Sequence, residues 1–152
     1  MLSETDITLL VAAQSLELAA QDIYEVVVSQ KSKSDDEQAL LVLMHSHHAA
    51  YGQTLNGVLS KRAATRRNEE AYTKFFAMLA DKSKLWSTLL ELENTAVATH
   101  TAIIERLSSA KNAALLASIT TVEARHAAML ATLISTDLDL ALENPAQALV
   151  TQ

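Results

Sequence analysis

The chain has 152 residues, 49% of them apolar, with two glycines, one proline, no cysteine and a formal charge of −6. That length fits one domain able to bury a core without staples, and the scarcity of turn formers points to an all-helical protein. The acidic balance argues against nucleic-acid binding, because the cluster Lys61, Arg62, Arg66 and Arg67 is too short to follow a phosphate backbone, and the lack of cysteine excludes disulfides, thiolate zinc sites and thiol nucleophiles.

In chain order, "SETDITLLVAAQSLELAAQDIYEVVVSQ" opens with Ser3 and acidic residues in its first turn, which suits a helix over residues 4–30. The polar break "KSKSDDEQ" leads into a second helix over 37–63 that ends in a basic turn. "TRRNEEAYTKFFAMLADKSK" carries a short helical piece around Tyr72 to Leu79. A third helix is expected over 83–108 and, after "AKN", a fourth over 112–135. Pro145 ends regular structure in "TDLDLALENPAQALVTQ", a tail expected to lie over the bundle through Leu138, Leu140 and Leu142. The organisation expected is a bundle over 1–136 and a tail over 137–152. No apolar run is long enough for a transmembrane segment, and "MLSETDITLL" lacks a basic region before an apolar stretch. A cytoplasmic protein is expected as the sequence is written, although a trimmed export signal would leave the same trace.

The short breaks make antiparallel hairpins of helices one and two and of helices three and four. About twenty residues separate the hairpins, enough for a long crossover along a four-helix bundle. Helices of about 25 residues would be about 37 Å long, sufficient to hold a site at mid-length.

Read at helical spacing, the inward stripes are Leu10, Ala13, Glu17, Ala20 and Tyr24; Leu41, Met44, His48, Tyr51, Leu55 and Val58; Trp86, Leu89, Glu93, Val97, His100 and Ile104; and Ile119, Glu123, His126, Leu130 and Leu133. Each is apolar except near its middle. The halves repeat one another: Glu17 and Tyr24 echo Glu93 and His100, while His48 and Tyr51 echo Glu123 and His126. A second register for helix two would turn His45 inward with His48, but it aligns His45 with Gln38, Ala49 and Gly52, a weaker stripe, so His45 and His47 are read as flanking residues.

A lone glutamate on an apolar face is more often a surface residue than a ligand. Polar residues at mid-length on all four helices are a different matter, because burying three carboxylates costs several kcal/mol each unless positive charge sits among them. One compensator is a divalent metal held by Glu17, His48, Glu93, Glu123 and His126. The other is a metal-free network in which protonated His48 and His126 pair with the glutamates.

"SLELAAQDIY", "LMHSHHAAYGQTLNGVL", "LLELENTAVATH" and above all "TTVEARHAAMLATL" resemble the ferritin-like domain family, relatives of the rubrerythrins and bacterioferritins. The resemblance covers residues 7 to 135 and implies an all-α, ferritin-like antiparallel four-helix bundle with a long crossover between helices two and three. It also implies that Glu17, Glu93, Glu123 and His126 stand where active di-iron relatives have metal ligands. Helix two departs from the pattern, since the family's Glu-x-x-His falls on His48 and Tyr51. Three carboxylates leave a dinuclear divalent site with excess positive charge, so a single ion, a weakened second site or no metal is expected. Tyr24, Tyr51 and His100 are candidates for donors that orient the ligands.

With only Gly52 and Gly57 there is no glycine-rich phosphate loop, and no serine sits in a strand-to-helix elbow. The function expected is metal binding, with iron or manganese as cofactor and Fe(II) oxidation or handling of O₂ or peroxide as its reaction. The alternative is a non-catalytic helical module that acts through oligomerisation or protein interaction. The apolar fraction suits a homo-oligomer under either reading.

Overall fold

The computed structural model describes residues 2–30, 33–135 and 137–149. Part of the break after the first helix, the expected boundary at residue 136 and the last three residues of the tail lie outside them. No strand occurs among the described residues, whose α-helices are α1 (Glu4–Ser29), α2 (Asp35–Leu59), α3 (Glu69–Met78), α4 (Leu85–Ile104), α5 (Ala110–Ile134) and the short α6 (Leu138–Leu142). None is long and apolar enough to cross a membrane. The chain divides into two compact units, Leu10–Phe76 and Met1–Leu9 with Ala77–Gln152.

In the first unit α1 and α2 run antiparallel, because their contacts pair rising with falling residue numbers. Gln14 donates to the Gly52 carbonyl (3.3 Å), Glu17 meets His48 (2.8 Å), Tyr24 meets Met44 (3.5 Å) and Gln38 donates to the Val28 carbonyl (3.0 Å). A capping box starts α2: Ser34 accepts from the Glu37 amide while Glu37 accepts from the Ser34 amide. The helix therefore begins two residues earlier than the pattern predicted. It also ends earlier, at Leu59 instead of 63, because Ser60 takes φ 52° and the basic residues Lys61 and Arg62 fall in a 3-10 turn. Buried Gln14 ties down the chain beyond that turn by accepting from the Ala64 amide at 2.6 Å. The piece expected from Tyr72 begins at Glu69, since the Asn68 side chain caps it through the Ala71 amide and the Asn68 amide donates to the Ser15 carbonyl. Arg67 bridges Asp22 (2.6 Å) and Glu69 (3.0 Å) and lies over the Tyr72 ring. Ala71 and Phe75 are buried.

In the second unit α4 and α5 pack along one another as a hairpin. The sequence predicted a third helix through 108, yet α4 stops at Ile104. The amides of Ser108 and Ser109 donate instead to Asp6, whose carboxylate also accepts from the Ser108 hydroxyl. Ser109 then caps α5 through the Asn112 amide, which moves the start of that helix from 112 to Ala110. Ser3 accepts from the Asp6 amide and caps α1. Asp6 is itself buried, and these donors, led by the Ser108 amide, hold its pKa below the ordinary 3.8.

The tail differs from expectation in how it is held. Leu138 and Leu142 are 73% and 84% exposed, and Leu140 is half-buried. Hydrogen bonds fix the segment: Asn144 donates to the Asn94 carbonyl (3.0 Å) and the Leu149 amide to the Thr99 hydroxyl (2.9 Å). At 100° per residue Leu138 and Leu142 share one face of α6 and Leu140 lies nearly opposite, so the three leucines cannot turn inward together.

Two stability effects follow. Ser60 occupies a backbone region that favours glycine, so Ser60→Gly should raise the melting temperature, with a gain of about 1 kcal/mol in chemical denaturation. Because the pKa of Asp6 is lowered in the folded state, its stabilisation is present above the unfolded value and lost as pH falls through the folded one. Asp6→Asn should lower the melting temperature at pH 7, and the gap to wild type should close on acidification below the ordinary carboxylate range; a gap constant from pH 7 to pH 2 would rule out the carboxylate as its source.

Candidate metal centre

Each helix of a hairpin delivers polar groups at spacings that keep them on one face. Glu17 and Tyr24, seven residues apart on α1, are fully buried, as are Glu93 and His100 at the same spacing on α4. Glu123 and His126 are one turn apart on α5, fully buried and 6% exposed respectively. On α2 the buried stripe is Leu41, Met44, His48, Gly52, Leu55 and Leu59. His48 is therefore the inward residue, as read from the sequence, whereas Tyr51 and His45 are both half-buried. At 100° per residue they flank His48 by about 60° on either side, so neither alternative register places a second ring at the centre. Val58 is likewise half-buried and Leu133 is 39% exposed, both expected inside.

Within the first unit, His48 Nδ1 lies 2.8 Å from Glu17 Oε2, with both side chains shut off from solvent. The Tyr24 ring stacks on the imidazole at 5.2 Å and 23°, and its hydroxyl donates to Met44 Sδ at 3.5 Å. Tyr51 meets His48 edge-on at 6.2 Å and 82° while also lying beside His47 at 6.1 Å. His48 is thus fixed by one carboxylate and two aromatic rings.

Within the second unit, His100 Nδ1 lies 2.8 Å from Glu123 Oε2 and His126 Nδ1 lies 3.3 Å from Glu93 Oε1. The antiparallel hairpin accounts for this crossing: the earlier α4 residue meets the later α5 residue, and the reverse. Each of the three buried glutamates accordingly has a histidine partner, and each partner approaches through Nδ1.

That pairing corrects the charge balance read from the sequence, which set two imidazoles against three carboxylates. His100 is the third. From the sequence it was a candidate donor for orienting the ligands; that it meets Glu123 on the next helix depends on the hairpin's register.

The ferritin-like domain profile matches residues 5–136. The chain belongs to the ferritin-like domain family. No curated protein and no solved structure matches it significantly.

The donor set of this ferritin-like chain suits a divalent ion. Carboxylate oxygens and imidazole nitrogens are the ligands that iron and manganese accept, and an imidazole whose Nδ1–H donates to a carboxylate presents Nε2 as its lone-pair nitrogen. The second unit supplies one such hydrogen-bonded pair, His100 with Glu123, and a longer His126–Glu93 approach at 3.3 Å, while the first supplies His48 with Glu17. His45 Nε2 is sheltered from solvent with no hydrogen bond, and the set does not include it.

The Glu17–His48 pair should behave as a coupled buried unit. Glu17→Leu alone leaves a desolvated imidazole and should cost about 3–5 kcal/mol in urea denaturation, whereas Glu17→Leu with His48→Leu should cost clearly less than the sum of the single changes. Additive losses would mean that the 2.8 Å contact carries no coupling.

Proposed function

We propose that this chain is a metal-binding ferritin-like protein whose iron or manganese ligands come from its buried glutamates and histidines, Glu93, Glu123 and His126 in one unit and Glu17 and His48 in the other. The observation that carries the reading is the set of buried glutamates, each joined to an imidazole through Nδ1, in a chain of this family. Such pairs are how metal-binding histidines are commonly oriented, and the donors are of the kind these two metals take. When bound, the ion would supply a one-electron couple and a coordination position for dioxygen or peroxide. The residues of the chain would bind and orient it, while the apolar helix faces keep bulk water away. Oxidation of Fe(II) or handling of O₂ or peroxide is the reaction class this arrangement suits.

A second reading has its own supporting observation. Each of the three glutamates stands within 3.3 Å of a histidine, so protonated rings would balance the carboxylates with no metal. The protein would then be a non-catalytic helical module acting through association with itself or another protein.

Metal analysis of protein purified without chelator, followed by thermal melts with Fe(II), Mn(II) and Zn(II), separates the two. A bound ion at a hundredfold its Kd stabilises by about 2.7 kcal/mol, and the resulting shift should vanish in Glu93→Ala and His126→Ala. Melting temperatures unmoved by all three ions would eliminate the metal reading and favour the metal-free module. Where an ion binds, aerobic Fe(II) titration followed by absorbance tests for oxidation.

A further inference from the structure

We infer that His100 is a positioning residue for the proposed metal, holding the Glu123 carboxylate in the orientation that an ion on α5 requires; the inference rests on the metal reading above.

A glutamate side chain has two free staggered torsions and a broad terminal one, so its carboxylate plane is poorly defined unless a neighbour fixes it. Freezing such a side chain at the moment of binding costs affinity that a preorganised site does not lose. His100 supplies the fixing contact. Its Nδ1 stands 2.8 Å from Glu123 Oε2, and both side chains are completely buried, so water does not compete for the oxygen. The imidazole is a stiff ring on two torsions, anchored on a different helix from the carboxylate it holds. With one oxygen engaged by His100, the plane of the Glu123 carboxylate is set, and so is the direction of Oε1.

The same helix also fixes the other α5 donor. Glu93 stands 3.3 Å from His126 Nδ1, seven residues from His100 and on the same face of α4. Two residues of α4 thus orient two donors of α5, and the hairpin acts as a preset half-site. His100 acts through Glu123.

The test uses the full chain with Mn(II), its affinity measured by competition with a chromophoric chelator, and Co(II), its visible spectrum reporting coordination. His100→Leu fills much of the same volume with no donor and should weaken Mn(II) binding about tenfold to a hundredfold and alter the Co(II) spectrum. His100→Asn places an amide nitrogen where Nδ1 stood and should recover most of that loss. His100→Gln places its amide further out and should recover less. A role in packing alone would not rank Asn above Gln, so this comparison decides the matter even if the leucine variant fails to fold. Wild-type affinity in His100→Leu, or equal affinity in the Asn and Gln variants, would overturn the inference while leaving the metal reading intact. If the wild-type chain binds neither Mn(II) nor Co(II), the metal reading fails first and the inference falls with it.

Discussion

Carboxylates buried in an apolar helical core constrain this structure more than any other feature. Glu17, Glu93 and Glu123 are fully removed from water, a state that costs several kcal/mol for each charge unless it is matched nearby. The nearest match is supplied by His48, His126 and His100, at 2.8 to 3.3 Å. Because each match lies on the neighbouring helix of a hairpin, the requirement to satisfy charge also fixes that hairpin's register. Sliding α5 by one turn along α4 would separate His100 from Glu123 and His126 from Glu93 together. Burial of leucine and alanine alone imposes no such condition, since apolar contacts are tolerant of exchange.

The ends of the hairpins are secured by a different kind of contact. Asp6 collects two backbone amides and a hydroxyl from the turn between α4 and α5, while Gln14 joins the α2 backbone to the chain beyond its 3-10 turn. Asp6 serves amides of the turn after α4 that have no intrahelical partner, whereas Gln14 reaches the mid-helix Gly52 carbonyl as well as the Ala64 amide. They hold the loops while the glutamate–histidine pairs hold the middles. The tail follows the same pattern, since Asn144 and Leu149 reach α4 through hydrogen bonds and not through the leucines of α6.

The internal repeat shows how a duplicated pattern can diverge chemically. Glu17 corresponds to Glu93, Tyr24 to His100 and His48 to Glu123. On α4 and α5 the second and third positions form an imidazole–carboxylate bond. On α1 and α2 the corresponding pair is a phenol stacked on an imidazole, and His48 takes the carboxylate of Glu17 instead. The differences at these positions, with Tyr51 where the other half has His126, change which residues pair and not merely their charge.

The sequence by itself determined the helices, the hairpins and the polar residues at the middle of each inward stripe, because helical periodicity and scarce turn formers act locally along the chain. Glu17, His48, Glu93, Glu123 and His126 were legible as intrusions into apolar stripes. Tertiary structure decided what periodicity leaves open. The partner of each glutamate depends on the register between two helices, which placed His100 on Glu123. The margins of the α2 stripe depend on where the neighbouring side chains end, which left Tyr51 half-buried. The lengths of α2 and α4 depend on competition for their last backbone groups, won by the turn at Ser60 and by the Asp6 carboxylate. Each of these is set by groups distant in sequence or by a backbone torsion, and neither leaves a periodic trace in the chain.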